Sequence, residues 1–122
     1  MKFTKDHEWV KIEDNVATVG ISQYAADALG ELVYVELPEI SAAYNKGDAF
    51  AVVESSKSAS DVYLPISGEV LEVNENLNSE PELINNSSYE NGWIAKVKVV
   101  DDSSLEDMMD EAAYQKYLEE LS

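Results

Sequence analysis

Short runs of apolar residues, each bounded by polar or turn-forming residues, cover most of this chain and predict strands rather than long helices. A first pair is expected from His7 to Glu13 and from Val16 to Gly20, joined through Asp14-Asn15, a dipeptide suited to a tight turn. Ser22 can cap a short helix from Gln23 to Leu29, with Gly30 as its stop. Further strands are predicted at Leu32–Leu37, Ala49–Ser55, Ser58–Leu64, Gly68–Val73 and Trp93–Val99. Between Asn74 and Gly92 the chain is polar, and Pro81-Glu82-Leu83-Ile84 offers at most one helical turn. The tail changes period. Ser103 and Glu106 have capping-box spacing, Leu105, Met108 and Met109 fall on one face, and Asp110–Leu121 sets Tyr114, Tyr117, Leu118 and Leu121 on one stripe.

The middle of the chain carries a faint duplication. Gly30-Glu31-Leu32-Val33-Tyr34-Val35 parallels Gly68-Glu69-Val70-Leu71-Glu72-Val73, and Gly47–Val53 loosely parallels Gly92–Val97. Two similar halves of short strands predict a mainly β, pseudo-symmetric sandwich or flattened barrel with short helices, including helices at the C-terminal end. The length suits one domain over 1–122, with a core over about residues 7–100 and a helical segment over about 103–121.

Charge narrows the function classes. The chain has 25 acidic residues against 8 basic ones, all lysine, for a formal charge of −17. Such a surface repels nucleic acid and anionic membranes, and it steers basic protein partners toward it. No apolar run approaches the roughly 18 residues that span a bilayer. The start, Met1-Lys2-Phe3-Thr4-Lys5-Asp6-His7-Glu8, lacks the apolar core of a secretory signal and the arginines of a transit peptide, so a cytoplasmic protein is expected, or a mitochondrial-matrix one if the chain is a processed eukaryotic protein. With no cysteine and His7 as the only histidine, disulfides, thiolate sites and histidine-cluster metal sites are excluded.

Lys57 is the one basic residue between Lys46 and Lys96. It sits in Ser55-Ser56-Lys57-Ser58-Ala59-Ser60, between two strand-like runs, where the polar centre suits a reversal. A lysine at such a hairpin tip has only small neighbours, and an enzyme can reach it for covalent modification. The same placement also describes a solubilising surface lysine. A third possibility, Schiff-base chemistry, requires a desolvated lysine, and a serine-rich tip does not provide one.

In order and spacing the chain resembles the H-protein family of the glycine cleavage system, relatives of the lipoyl and biotinyl carrier domains. The resemblance rests on His7-Glu8-Trp9, Val19-Gly20-Ile21-Ser22, Leu29–Pro38, Val53-Glu54-Ser55-Ser56-Lys57-Ser58-Ala59-Ser60-Asp61-Val62-Tyr63, Pro65–Glu69, Pro81–Asn85 and Asn91-Gly92-Trp93. It departs from the family at Ser41, Ser56 and Ser88, which read as tolerated loop changes, and at Ala28, a histidine in some members.

The resemblance implies a non-catalytic carrier with lipoic acid in amide linkage to Lys57, and no metal. It implies shuttling of an aminomethyl group among three enzymes: a pyridoxal-phosphate glycine decarboxylase, a tetrahydrofolate-dependent aminomethyltransferase and an FAD-containing dihydrolipoyl dehydrogenase. Lipoate-attaching enzymes complete the implied partners. A lipoate relay to 2-oxo acid dehydrogenases is the alternative role. A biotin carrier fits less well, because Ser56 and Ser58 flank the lysine where that family has methionines. Glu8 and Asp61 match the acidic positions that dock the loaded arm. Read alone, Glu8 is a solvated strand residue, and Asp61 shapes the hairpin through a hydrogen bond.

Overall fold

The computed structural model describes residues 1–121. Its elements are β1 (Lys2–Phe3), β2 (Glu8–Glu13), β3 (Val16–Ile21), α1 (Gln23–Leu29), β4 (Leu32–Glu36), β5 (Ala43–Tyr44), β6 (Ala49–Ser55), β7 (Ala59–Tyr63), β8 (Ser67–Val73), α2 (Leu83–Asn86), β9 (Ala95–Asp101) and α3 (Glu111–Leu121). Two 3₁₀ turns, Glu75–Asn78 and Ser103–Asp107, lie between them. The strands form a six-stranded sheet in the order β1-β2-β3-β9-β8-β5 and a three-stranded sheet in the order β4-β6-β7. All pairings are antiparallel, and the two sheets do not close into a barrel.

Local chemistry explains several of these elements. Asp14 and Asn15 take φ values of 49° and 66°, the left-handed pair that a two-residue hairpin turn requires. The Ser22 hydroxyl accepts from the Ala25 N–H at 3.2 Å and caps α1, and Gly30 donates to the Ala26 carbonyl at 3.1 Å to end it. The inner faces of both sheets meet in one core: Val10, Val19, Val70 and Val97 from the large sheet, and Leu32, Val35, Val53 and Val62 from the small one. A second, smaller cluster of Phe3, Trp9 and Tyr114 forms under α3, with Tyr117 and Leu118 packed against it.

The duplication survives as strand pairing. β4 pairs with β6 and its counterpart β8 pairs with β9, both antiparallel. The halves are nonetheless unequal, because β1, β2, β3 and β5 all join the second pair.

Two local expectations are corrected, and two short strands are added to those expected. β1 and β5 are two-residue strands too short to leave an alternating pattern, and they exist because long-range partners pair with them. The capping box of Ser103 and Glu106 does not form; the Asp101 carboxylate accepts the Ser103 N–H at 2.9 Å instead, and the segment winds as a 3₁₀ turn. Leu105, Met108 and Met109 do not share a face. Met108 is extended after that turn, so Leu105 and Met108 pack on the main core while Met109 joins the Phe3 cluster.

Candidate functional site

Three residues, Ser56 to Ser58, connect β6 to β7, and Lys57 is the middle one. The Ser55 side chain organises this tip. Its Oγ accepts the N–H groups of Lys57 and Ser58, each at 3.2 Å, while the Ser55 N–H donates to the Ser58 carbonyl at 2.8 Å. Ser55 is buried, whereas Ser56, Lys57 and Ser58 are exposed. A fixed backbone with an exposed side chain is the arrangement a modifying enzyme needs. It gives no desolvation to activate Lys57 as a Schiff-base nucleophile.

The Lys57 side chain runs beside Gly30, at the junction of α1 and β4. That junction is secured from a distant part of the chain. The Asn85 amide donates to the carbonyls of Gly30 (2.9 Å) and Ala26 (3.3 Å), and its oxygen accepts the Leu32 N–H at 2.9 Å. Asn85 therefore satisfies both the end of α1 and the start of β4, groups that need partners when taken from water. Nothing local in the sequence announces this role.

Glu8 is not a solvated strand residue: it is 4% exposed. It opens β2 opposite Ile21 and lines a cavity of about 210 Å³ together with Thr4, Lys46, Tyr63, Pro65 and Met108. Burial is the largest influence on its carboxyl and pushes the pKa up to about 7. The nearby Asp6 charge pushes the same way, while a hydrogen bond from Thr4 and the Tyr63 backbone N–H oppose it.

Asp61 lies on the strand that carries Tyr63, but away from the cavity. It is exposed on β7 opposite Val52, two residues before Tyr63, and does not line the cavity. Alternation along a strand puts Asp61 and Tyr63 on one face of β7. The hairpin is shaped by Ser55 rather than by the Asp61 carboxylate.

Two departures from the family pattern acquire physical content. Ser41 has a φ of 75°, a conformation in which glycine carries no Cβ penalty. Ser88 is not a loop bystander. It is 1% exposed; its hydroxyl donates to the Ile84 carbonyl at 2.6 Å, and its carbonyl accepts the Trp9 indole N–H at 3.0 Å. Ser56 stays exposed at the tip, and Ala28 is exposed on α1.

The structure is a small open sandwich with an exposed lysine at one hairpin tip and a buried carboxyl in a cavity that Tyr63, at the far end of β7, also lines. The family model described as glycine cleavage H-protein matches residues 1–121. A glycine cleavage system H protein from Thermotoga maritima is 53% identical over 116 residues, covering 95% of this chain and 94% of the relative. One from Halothermothrix orenii is 49% identical over 121 residues, covering 99% and 94%. The crystal structure of a glycine cleavage system H protein from Mycobacterium marinum superposes with a TM-score of 0.89 at 32% identity, covering 97% of this chain and 95% of that one. The chain belongs to the glycine cleavage H-protein family. Membership makes it a carrier component of the glycine cleavage system, not itself a catalyst, and favours that role over a lipoate relay.

Proposed function

We propose that Lys57 is the residue that carries lipoic acid, as an amide on its Nζ. The observation that carries this reading is the exposed lysine in a three-residue tip whose backbone is tied down by a buried serine. Lipoic acid held there supplies a dithiolane that takes up, carries and releases an aminomethyl group. The chain's own work is presentation. Ser55 keeps the tip from folding back, and Gly30 leaves room beside the lysine.

Glu8 and Asp61 are the arm-docking residues in this reading. An exposed carboxylate on β7 and a buried one beside the cavity both favour the protonated form of an amine brought near them. Protonation protects that amine from loss to water, and charge-assisted contacts in a partly dry site are among the stronger ones.

A single carrier domain over residues 1–122 would present one arm to a pyridoxal-phosphate glycine decarboxylase, a tetrahydrofolate-dependent aminomethyltransferase and an FAD-containing dihydrolipoyl dehydrogenase. Lipoate-attaching enzymes would read the Lys57 hairpin. Among the described residues no helix is long and apolar enough to cross a membrane, and the cytoplasm is the compartment we assign.

The test is intact-mass measurement and peptide mapping of the protein from its native host. A lipoyl increment on Lys57 is expected, and Lys57→Arg should lose it while keeping the fold. Lipoate mapped to Lys46 or Lys96 would overturn the assignment.

A further inference from the structure

We infer that Thr4 is a positioning residue for the loaded arm: its hydroxyl holds the Glu8 carboxylate in place at the cavity wall. The inference rests on the reading of Glu8 as an arm-docking group. A hydroxyl has one proton and two acceptor lone pairs. Thr4 Oγ1 accepts the N–H groups of Asp6 and Glu8, each at 3.2 Å. Both lone pairs are engaged, so its proton goes to Glu8 Oε1 at 2.6 Å. That distance marks a short hydroxyl hydrogen bond.

The hydroxyl has little freedom to turn elsewhere. The Thr4 N–H donates to the Glu8 carbonyl at 3.0 Å, and the His7 N–H donates to the Thr4 carbonyl at 3.1 Å. These bonds close a turn in which His7 takes a φ of 69°. The turn is anchored in its own right, because Phe3 exchanges backbone hydrogen bonds with Met109 at 2.8 and 2.9 Å and stacks on Tyr114 with ring centres 4.3 Å apart. The two ends of the chain together hold the donor that fixes Glu8.

The carboxyl needs this donor because its surroundings favour the neutral acid. Burial and Asp6 oppose ionisation, while the Thr4 hydroxyl and the Tyr63 backbone N–H support it. Lys5, Lys46 and Asp107 line the same cavity, and Asp61 lies on β7 outside it. A neutral Glu8 gives an ammonium no charge to hold. Thr4 thus orients the carboxyl and favours its ionised form.

Thr4→Val removes the hydroxyl at nearly constant shape, and Thr4→Ser keeps it. Titration of the Glu8 carboxyl in the unlipoylated full-length protein, followed by carbon-detected NMR, should move up by about one pH unit in Thr4→Val, the size of one hydrogen bond to a charged group. Thr4→Ser should titrate like the parent. In lipoylated, aminomethyl-loaded protein, Thr4→Val should release formaldehyde and ammonia about 3- to 10-fold faster near pH 7, and Thr4→Ser should restore the parent rate. Thr4→Ala provides the same comparison if Thr4→Val does not fold. An unmoved Glu8 titration in the hydroxyl-free variant overturns the role of Thr4. A moved titration with an unchanged release rate overturns the docking role of Glu8 beneath it.

Discussion

Gly30 and Lys57 lie side by side: a Cβ built on Gly30 would stand 3.4 Å from Lys57 Cε and 3.6 Å from Nζ. The glycine has φ 89° and ψ −171°, a region that side-chain-bearing residues essentially do not adopt. Gly30→Ala should therefore cost about 1–2 kcal/mol in urea unfolding. It should also slow acylation of Lys57 by setting a methyl group against the reactive end of its side chain, read as the rate of mass gain with an attaching enzyme.

Glu8 makes stability depend on pH in a stated direction. Its folded pKa is about 7 against an ordinary value of 4.5, so the folded state binds the extra proton between those values. The contribution is fully present below about pH 4.5 and is lost as pH rises through 7. Glu8→Gln has no charge to bury. Its stability relative to the parent should rise by about 3 kcal/mol from pH 4.5 to above pH 7, measured by urea unfolding across that window. A difference that stayed flat with pH would mean that Glu8 ionises without penalty.

Tyr114 ties the last helix to the first. Its hydroxyl donates to Ser22 Oγ at 2.7 Å and meets His7 Nδ1 at 2.8 Å, and burial pushes its pKa up to about 12. Tyr114→Phe keeps the stack on Phe3 but removes the hydroxyl. It should cost about 1–2 kcal/mol and raise amide exchange in α3 more than in β9.

The formal charge of −17 predicts salt-sensitive encounters with basic partner surfaces. The apparent Michaelis constant of a glycine decarboxylase for the lipoylated protein should rise with ionic strength, because attraction is screened beyond about 10 Å at 0.1 M salt. A constant that stayed flat from low to high salt would leave steering with no role.

The sandwich strands and α1 were legible because each rests on a local rule. Alternation marks β2, β3, β6 and β8, the Asp14-Asn15 pair marks a reversal, and Ser22 with Gly30 bounds the helix over Gln23–Leu29. The capping box failed because an aspartate at position 101 competed for the same N–H, a contest that spacing cannot resolve. Ser88 looked like a loop change only because its burial depends on Trp9 and Ile84, which lie at other points in the chain.

Sequence alone determined that Lys57 is a lone lysine in a polar reversal between strands, since turn chemistry acts over a few neighbouring residues. It also determined the acidic balance and the recurrence of similar halves. Tertiary structure decided the environment of Glu8. The same alternation describes a wet or a dry carboxylate, and only the packing of β2, β7 and the 103–107 turn around one cavity removed its water. Tertiary structure also brought Thr4, Asn85 and Tyr114 to their partners. Burial and long-range hydrogen bonds depend on which segments meet, and no single stretch of sequence contains that information.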